Sequence, residues 1–151
     1  MSVTISRITV TFTIHATEDM NNNLLALYSL IPEKALEECE CIEDQLEGGY
    51  GNSISFIQYS TRHKKNINLI MKNISKKLSL EEKKNLCLDF KNRFEQGRKT
   101  FYIRFDKEKA FQNRFVITNS SNAIKVIIKL NSYSKDSDFK TFLADQSIIA
   151  D

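Results

Sequence analysis

The chain has 151 residues, 41% of them hydrophobic, and 22 Lys and Arg against 19 Asp and Glu give a net charge of +3. That length suits one domain with a core large enough to need no disulfide or metal staple. No run of eighteen or more apolar residues occurs, so no membrane-spanning helix is expected.

Met1 to Arg7 lack the charged start and apolar centre of a signal peptide. Three cysteines (Cys39, Cys41, Cys87) form an odd set with no framework spacing, which favours reduced thiols and a cytoplasmic location. Charge is sorted along the chain. Thr17 to Glu47 holds nine acidic residues and one basic, Lys34, whereas Arg62 to Arg114 holds sixteen basic and six acidic. Two faces of opposite sign are expected, the basic one suited to a polyanion.

Residues 7–14 read Arg-Ile-Thr-Val-Thr-Phe-Thr-Ile, a strict alternation that predicts a strand with Ile8, Val10, Phe12 and Ile14 facing in. His15-Ala16-Thr17-Glu18-Asp19 follows, and Thr17 or Asp19 is placed to cap a helix carrying Leu24, Leu25, Leu27 and Tyr28. Pro32 ends it. Residues 33–46 fit a helix through Leu36, Cys39, Ile42 and Leu46, and near their end a strand. The strand is preferred there because a turn then joins it to Ile54–Tyr59 as a hairpin. That turn holds three of the chain's four glycines, Gly48, Gly49 and Gly51, with Tyr50 and Asn52. Glycine reaches positive φ without a Cβ clash, so a sharp reversal is expected that can offer backbone N–H groups to an anion.

From Arg62 the period changes. Ile67, Ile70, Met71, Ile74 and Leu78 form the stripe of a core-facing helix, flanked by Arg62, Lys64, Lys65, Lys72, Lys76 and Lys77 with no acid among them. Ser79-Leu80-Glu81-Glu82 is a capping box, which predicts a further helix burying Leu86, Cys87, Phe90 and Phe94 and ending at Gly97. Thr100–Phe105 alternates with Tyr102 and Arg104 facing out, and a charged turn is expected over Asp106–Phe111. Phe115–Ile117 and Ile124–Leu130 suggest a hairpin across residues 119–122, and Asp136 is placed to cap a last helix anchored by Phe139, Phe142 and Leu143. The expected fold is α+β: a mostly antiparallel sheet of about six strands with about four helices packed mainly on one face.

Four stretches carry a resemblance: His15–Asp19, Leu46–Asn52, Arg104–Lys107 and Ile124–Lys129. In this order they resemble a family of small archaeal proteins described as RNA-binding and as predicted exosome subunits. The resemblance implies a fold similar to the large-subunit ribosomal protein that holds 5S RNA. Two positions depart from the family pattern. Gly49 stands where the family usually has His, and Glu108 where it usually has Gln. A missing imidazole and an added carboxylate both reduce recognition of an anion at those points.

Affinity for nucleic acid comes mainly from Lys and Arg neutralising phosphates. The candidate contacts are Arg62, Lys64, Lys65, Lys72 and Lys76 on the basic helix, and Arg98, Lys99, Tyr102, Arg104, Lys107, Lys125 and Lys129 on strands and turns. Thr9, Thr11 and Thr13 would line an open sheet face with them. Tyr102 beside Arg104 can stack an unpaired base, and Gly48 to Asn52 would add backbone donors. The cations of the middle third of the chain are expected to gather beside the glycine turn into one continuous platform. A plainer account makes the Thr-rich strand and the Lys-rich helix ordinary solvated surface.

Other functions fit less well. A basic amphipathic helix could lie on an acidic membrane, but its apolar stripe is needed for the core and carries no bulky aromatic. A protein–protein interaction module, using the acidic segment or an exposed strand edge, is compatible with RNA binding. Catalysis would rest on two histidines, His15 and His63. His15 lies near Glu18 and Asp19, yet a strand-end His beside a cap more often hydrogen-bonds the backbone. Cys39 and Cys41 with a His lack the spacing and the second half of a zinc site. No Walker loop, nucleophile elbow or dinucleotide fingerprint is present. The expectation is a non-enzyme without cofactor or metal, whose partners are RNA, subunits of an RNA-processing complex or a second copy of the chain, and not a membrane.

Overall fold

The structure is a computed structural model and describes residues 3–15, 18, 20–47, 53–132 and 138–151. Its strands are β1 (Thr4–His15), β2 (Glu40–Glu47), β3 (Ser53–Thr61), β4 (Phe94–Glu95), β5 (Thr100–Asp106) and β6 (Ala123–Asn131). They form one antiparallel sheet in the order β2-β3-β1-β6-β5-β4. The helices are α1 (Met20–Leu30), α2 (Glu33–Glu38), α3 (Lys64–Lys77), α4 (Leu80–Leu88), α5 (Phe90–Arg93), α6 (Lys107–Phe111) and α7 (Phe139–Asp145). Four of these reach seven residues or more, which is the α+β arrangement expected.

Period-two alternation builds the core from the middle of the sheet. Ile8, Val10, Phe12 and Ile14 of β1, Phe101, Ile103 and Phe105 of β5, and Ile124, Val126, Ile128 and Leu130 of β6 are all buried on one face. The apolar stripe of α3 lies against that face, with Ile67, Ile70, Met71 and Ile74 buried in the same cluster. Each such side chain contributes about 1.5–3 kcal/mol by leaving water. Leu27, Leu30 and Ile31 close the cluster beside α1.

Several local expectations change. Residues 33–46 are both things in succession: α2 opens behind Pro32 (φ −54°), and Cys39 in extended backbone ends it before β2 begins. The helix expected to run to Gly97 breaks at Asp89. Phe94 and Glu95 then form β4, paired with Phe101 and Thr100. Phe90 stacks on Phe94 and Phe101 at centroid separations of 5.1 and 5.6 Å, so the aromatic spacing serves a cluster and not one long helix. Asp106 caps α6 by accepting the Lys109 N–H, which makes a short helix of the expected charged turn. Residues 115–117 make no hairpin with β6. Ile117 bridges to Phe105 of β5, and its N–H donates to Glu82 Oε2 at 2.9 Å. The last helix is capped by Asp138, whose Oδ1 accepts the Thr141 N–H. Asp136, Thr17, Asp19 and the glycine turn, Gly48 to Asn52, lie outside the described residues.

Candidate nucleic-acid interface

The face of the sheet turned away from the helices is assembled by register. Arg7 of β1 stands opposite Lys129 of β6, and Lys129 opposite Thr100 of β5. Two residues along, Thr9, Ile127 and Tyr102 make the next row; two further, Thr11, Lys125 and Arg104 make a third. Like charges directly opposite each other on a sheet are unfavourable. This face has two such pairs, Arg7 with Lys129 and Lys125 with Arg104. An anion over the sheet would turn both repulsions into attraction.

The side chains here are held and partly stripped of water. Lys125 Nζ lies 4.7 Å from the centre of the Tyr102 ring, a cation–π contact worth about 0.5–1 kcal/mol when exposed. The Tyr102 hydroxyl donates to Glu95 Oε2 at 3.0 Å. Burial, and then that carboxylate, raise the Tyr102 pKa above its ordinary value, so the phenol stays neutral. Arg104 donates towards the Ser120 carbonyl at 3.4 Å. Arg98 and Lys99, in the turn between β4 and β5, form the rim of a groove that also takes in Arg7, Thr9, Tyr102 and Lys129. Arg98 faces Glu95 at 3.4 Å across exposed surface, and such a pair adds little. Lys99 has φ 52°, a left-handed conformation that lysine rarely adopts.

The acidic segment does not neutralise this face. β2 lies at the opposite edge of the sheet, with Glu40 and Asp44 on the same side as the cations, by register with Ser60 and Phe56 of β3. Two strand spacings of about 4.8 Å separate β2 from β1 and three separate it from β6, roughly 10 and 14 Å. Both exceed the screening length of about 8 Å at physiological salt.

The structure divides the expected contact residues. Tyr102, Arg104, Lys125 and Lys129 come together on the open face, with Arg98 and Lys99 at its rim. Lys64, Lys65, Lys72 and Lys76 do not join them. They lie outside the buried stripe of α3, on the solvent side of the helix layer and so across the molecule from Tyr102. Arg62 is exposed just before that helix. The single cationic platform is therefore corrected to two separate basic regions, because the stripe that anchors α3 turns its lysines outward.

Lys107 is a second correction. It is 4% exposed, and Nζ makes an ion pair of 2.7 Å with Glu18 Oε2 and donates to the Thr13 carbonyl. The Phe12 ring lies 6.0 Å from it. A lysine so placed ties Thr13 and Glu18 to α6 and offers no charge to a phosphate in solvent. Burial alone would raise the Glu18 pKa. The hydrogen bonds from Lys107 and the His15 N–H, with the Lys107 charge, outweigh that and bring it below the ordinary value. His15 thus engages Glu18 through its backbone at 2.9 Å, and its side chain is exposed at the end of β1.

Arg7 and Ile127 belong to the open face and were absent from the expected set. The alternation of β1 and β6 already turned both outward; the missing knowledge was which strands are neighbours. Cys39 and Cys41 do not share a strand: the Cys39 thiol donates to the Ala35 carbonyl at the end of α2, and burial pushes its pKa up to about 11. Among the described residues, no three His, Cys, Asp or Glu side chains gather as a metal site.

Residues 7–130 match a family model described as RNA binding. The chain belongs to this RNA-binding family. An RNA-binding protein of Pyrococcus abyssi, PAB1135, is 36% identical over 123 residues, which cover 80% of this chain and 78% of the relative. Protein AF2318 of Archaeglobus fulgidus has a crystal structure similar to this chain with a TM-score of 0.78 at 22% identity, covering 95% of this chain and 99% of that one. A DUF54 protein of Methanothermobacter thermautotrophicus has a TM-score of 0.74 at 19% identity, with coverage of 95% and 98%. At these identities the likeness is one of fold. Among the described residues, no helix is long and apolar enough to cross a membrane.

Proposed function

We propose that this chain is a non-catalytic RNA-binding protein acting in the cytoplasm in RNA processing, within exosome- or ribosome-related assembly, and that it holds RNA on the open face of its sheet. The observation that carries the reading is the facing of Arg7 with Lys129 and of Lys125 with Arg104. A sheet that only needed to fold would gain from placing a carboxylate in each pair. Membership of the RNA-binding family supports the choice of RNA as the anion.

A titration of labelled RNA at two salt concentrations tests the site. Replacing Arg7 and Lys129 together by Ala should weaken binding and flatten its salt dependence by roughly 0.7–0.9 in logarithmic slope for each phosphate no longer neutralised. An unchanged slope would remove the sheet face from consideration. A second reading, a protein-interaction module, draws on β2. Residues 40–45 are exposed throughout, and among the described residues β2 pairs only with β3, which leaves its other edge for a partner strand. Retention of complex subunits by a chain that binds no RNA would favour it.

A further inference from the structure

The open face is more than a basic patch, because its cations are interrupted by a row of another kind. Between Arg7–Lys129 and Lys125–Arg104 runs the row Thr9, Ile127 and Tyr102, one residue from each of β1, β6 and β5. Alternate residues on one face are about 6.6 Å apart along a strand, so the two cationic rows stand roughly 13 Å apart with the apolar row midway. Thr9 is buried, while Ile127 and Tyr102 are half-buried; the three form the floor of a groove shared with Arg7, Arg98, Lys99 and Lys129, and the Lys125–Arg104 row follows on their other side by register. Glu95 tethers the Tyr102 hydroxyl and Lys125 stands against the ring, so the ring is held in place before any ligand arrives.

A duplex has little use for such a floor. In double-stranded RNA the flat faces of the bases are stacked on one another, and the protein meets phosphates, 2′-hydroxyls and groove edges. An aromatic and an aliphatic side chain between two cationic rows find a surface to pack on only where a base face is free. We infer that the sheet selects single-stranded RNA. An unpaired base lies on Tyr102 and Ile127, and the phosphates on either side of it run to the Arg7–Lys129 and Lys125–Arg104 pairs. This rests on the reading of the face as the RNA site and adds which form of RNA it takes.

The experiment compares a short unstructured RNA strand with the duplex of the same strand and its complement, both fluorescently labelled. The natural chain should bind the strand at least tenfold more tightly than the duplex. Tyr102→Ala should weaken the strand by about 5- to 150-fold, the loss of one stacked base, and leave the residual duplex binding unchanged. Tyr102→Phe, which keeps the ring and loses the Glu95 tether, should weaken the strand far less than Tyr102→Ala does. The natural sequence contains no tryptophan, so Tyr102→Trp supplies one fluorophore at the site. Its emission should be quenched by the strand and not by the duplex, a readout that does not require the alanine variant to fold. Equal or tighter binding of the duplex, or an unquenched Trp in a saturated complex with the strand, would overturn the single-strand inference while leaving RNA binding intact. Failure of both RNAs to bind would overturn the underlying reading as well.

Discussion

A lysine ammonium that leaves water must find a carboxylate or carbonyl, and Lys107 finds one of each in Glu18 and Thr13. Removing one partner of a buried ion pair costs about 3–5 kcal/mol. Here the Glu18 side chain keeps 26% exposure, so Lys107→Ala is expected to cost nearer 2–3 kcal/mol in urea unfolding. The pH dependence has a definite sign. The folded state holds the Glu18 pKa below its ordinary 4.5, so the contribution is complete above that value and is lost as pH falls through the lower folded one. Glu18→Gln should therefore flatten the acid side of the stability profile. The RNA salt slope should not change in Lys107→Ala; a lower slope would return Lys107 to the RNA-binding surface. In sequence, Lys107 is indistinguishable from Lys109 two residues on, which is half-exposed. Only the fold shows which of them turns inward.

At the scale of elements, alternation was decisive in the long strands. Ile8 to Ile14 and Phe101 to Phe105 turn inward as their period requires, and the stripe of α3 is buried as its spacing requires. Spacing does not decide where two structures share it. Phe90 and Phe94 suit successive turns of a helix, and equally suit a ring stack that spans α5 and β4. Only half of the capping box at Ser79 forms. Ser79 Oγ accepts the Glu82 N–H at 3.1 Å, but the Glu82 carboxylate reaches away to Ile117 instead of back to Ser79. Sequence marks a capping glutamate without showing a competing donor brought from 35 residues away. Glu82→Ala is expected to cost about 1–2 kcal/mol through the lost charged hydrogen bond. It should also speed hydrogen exchange at the Ile117 amide; unchanged exchange there would mean that the bridge to Phe105 suffices to hold the segment.

Over the whole molecule, the sorting of charge along the chain becomes sorting across the fold, though not as one basic face. β2 carries its carboxylates to one edge of the sheet, β5 and β6 carry cations towards the other, and α3 takes its lysines to the opposite side. Composition by thirds made the asymmetry visible. It could not show that a helix lying on one face of the sheet separates its charges from those on the other. With RNA on the open face, replacing Arg62, Lys64 and Lys65 together by Ala should leave the salt slope of binding within error of the natural chain. A slope lowered by about two or more would place RNA on the helix side.

The edge formed by β2 bears on how the molecule behaves when crowded among its own copies. Glu40 and Asp44 project to one side of the ribbon and Glu43 to the other, so two such edges brought together would set carboxylate against carboxylate on both surfaces. This acts as a guard against fibril-like growth. With Glu40 and Glu43 replaced by Gln and Asp44 by Asn, the same edge loses its repulsion and keeps its outward backbone groups, so in that variant molecules should zip together and a concentrated solution should turn cloudy.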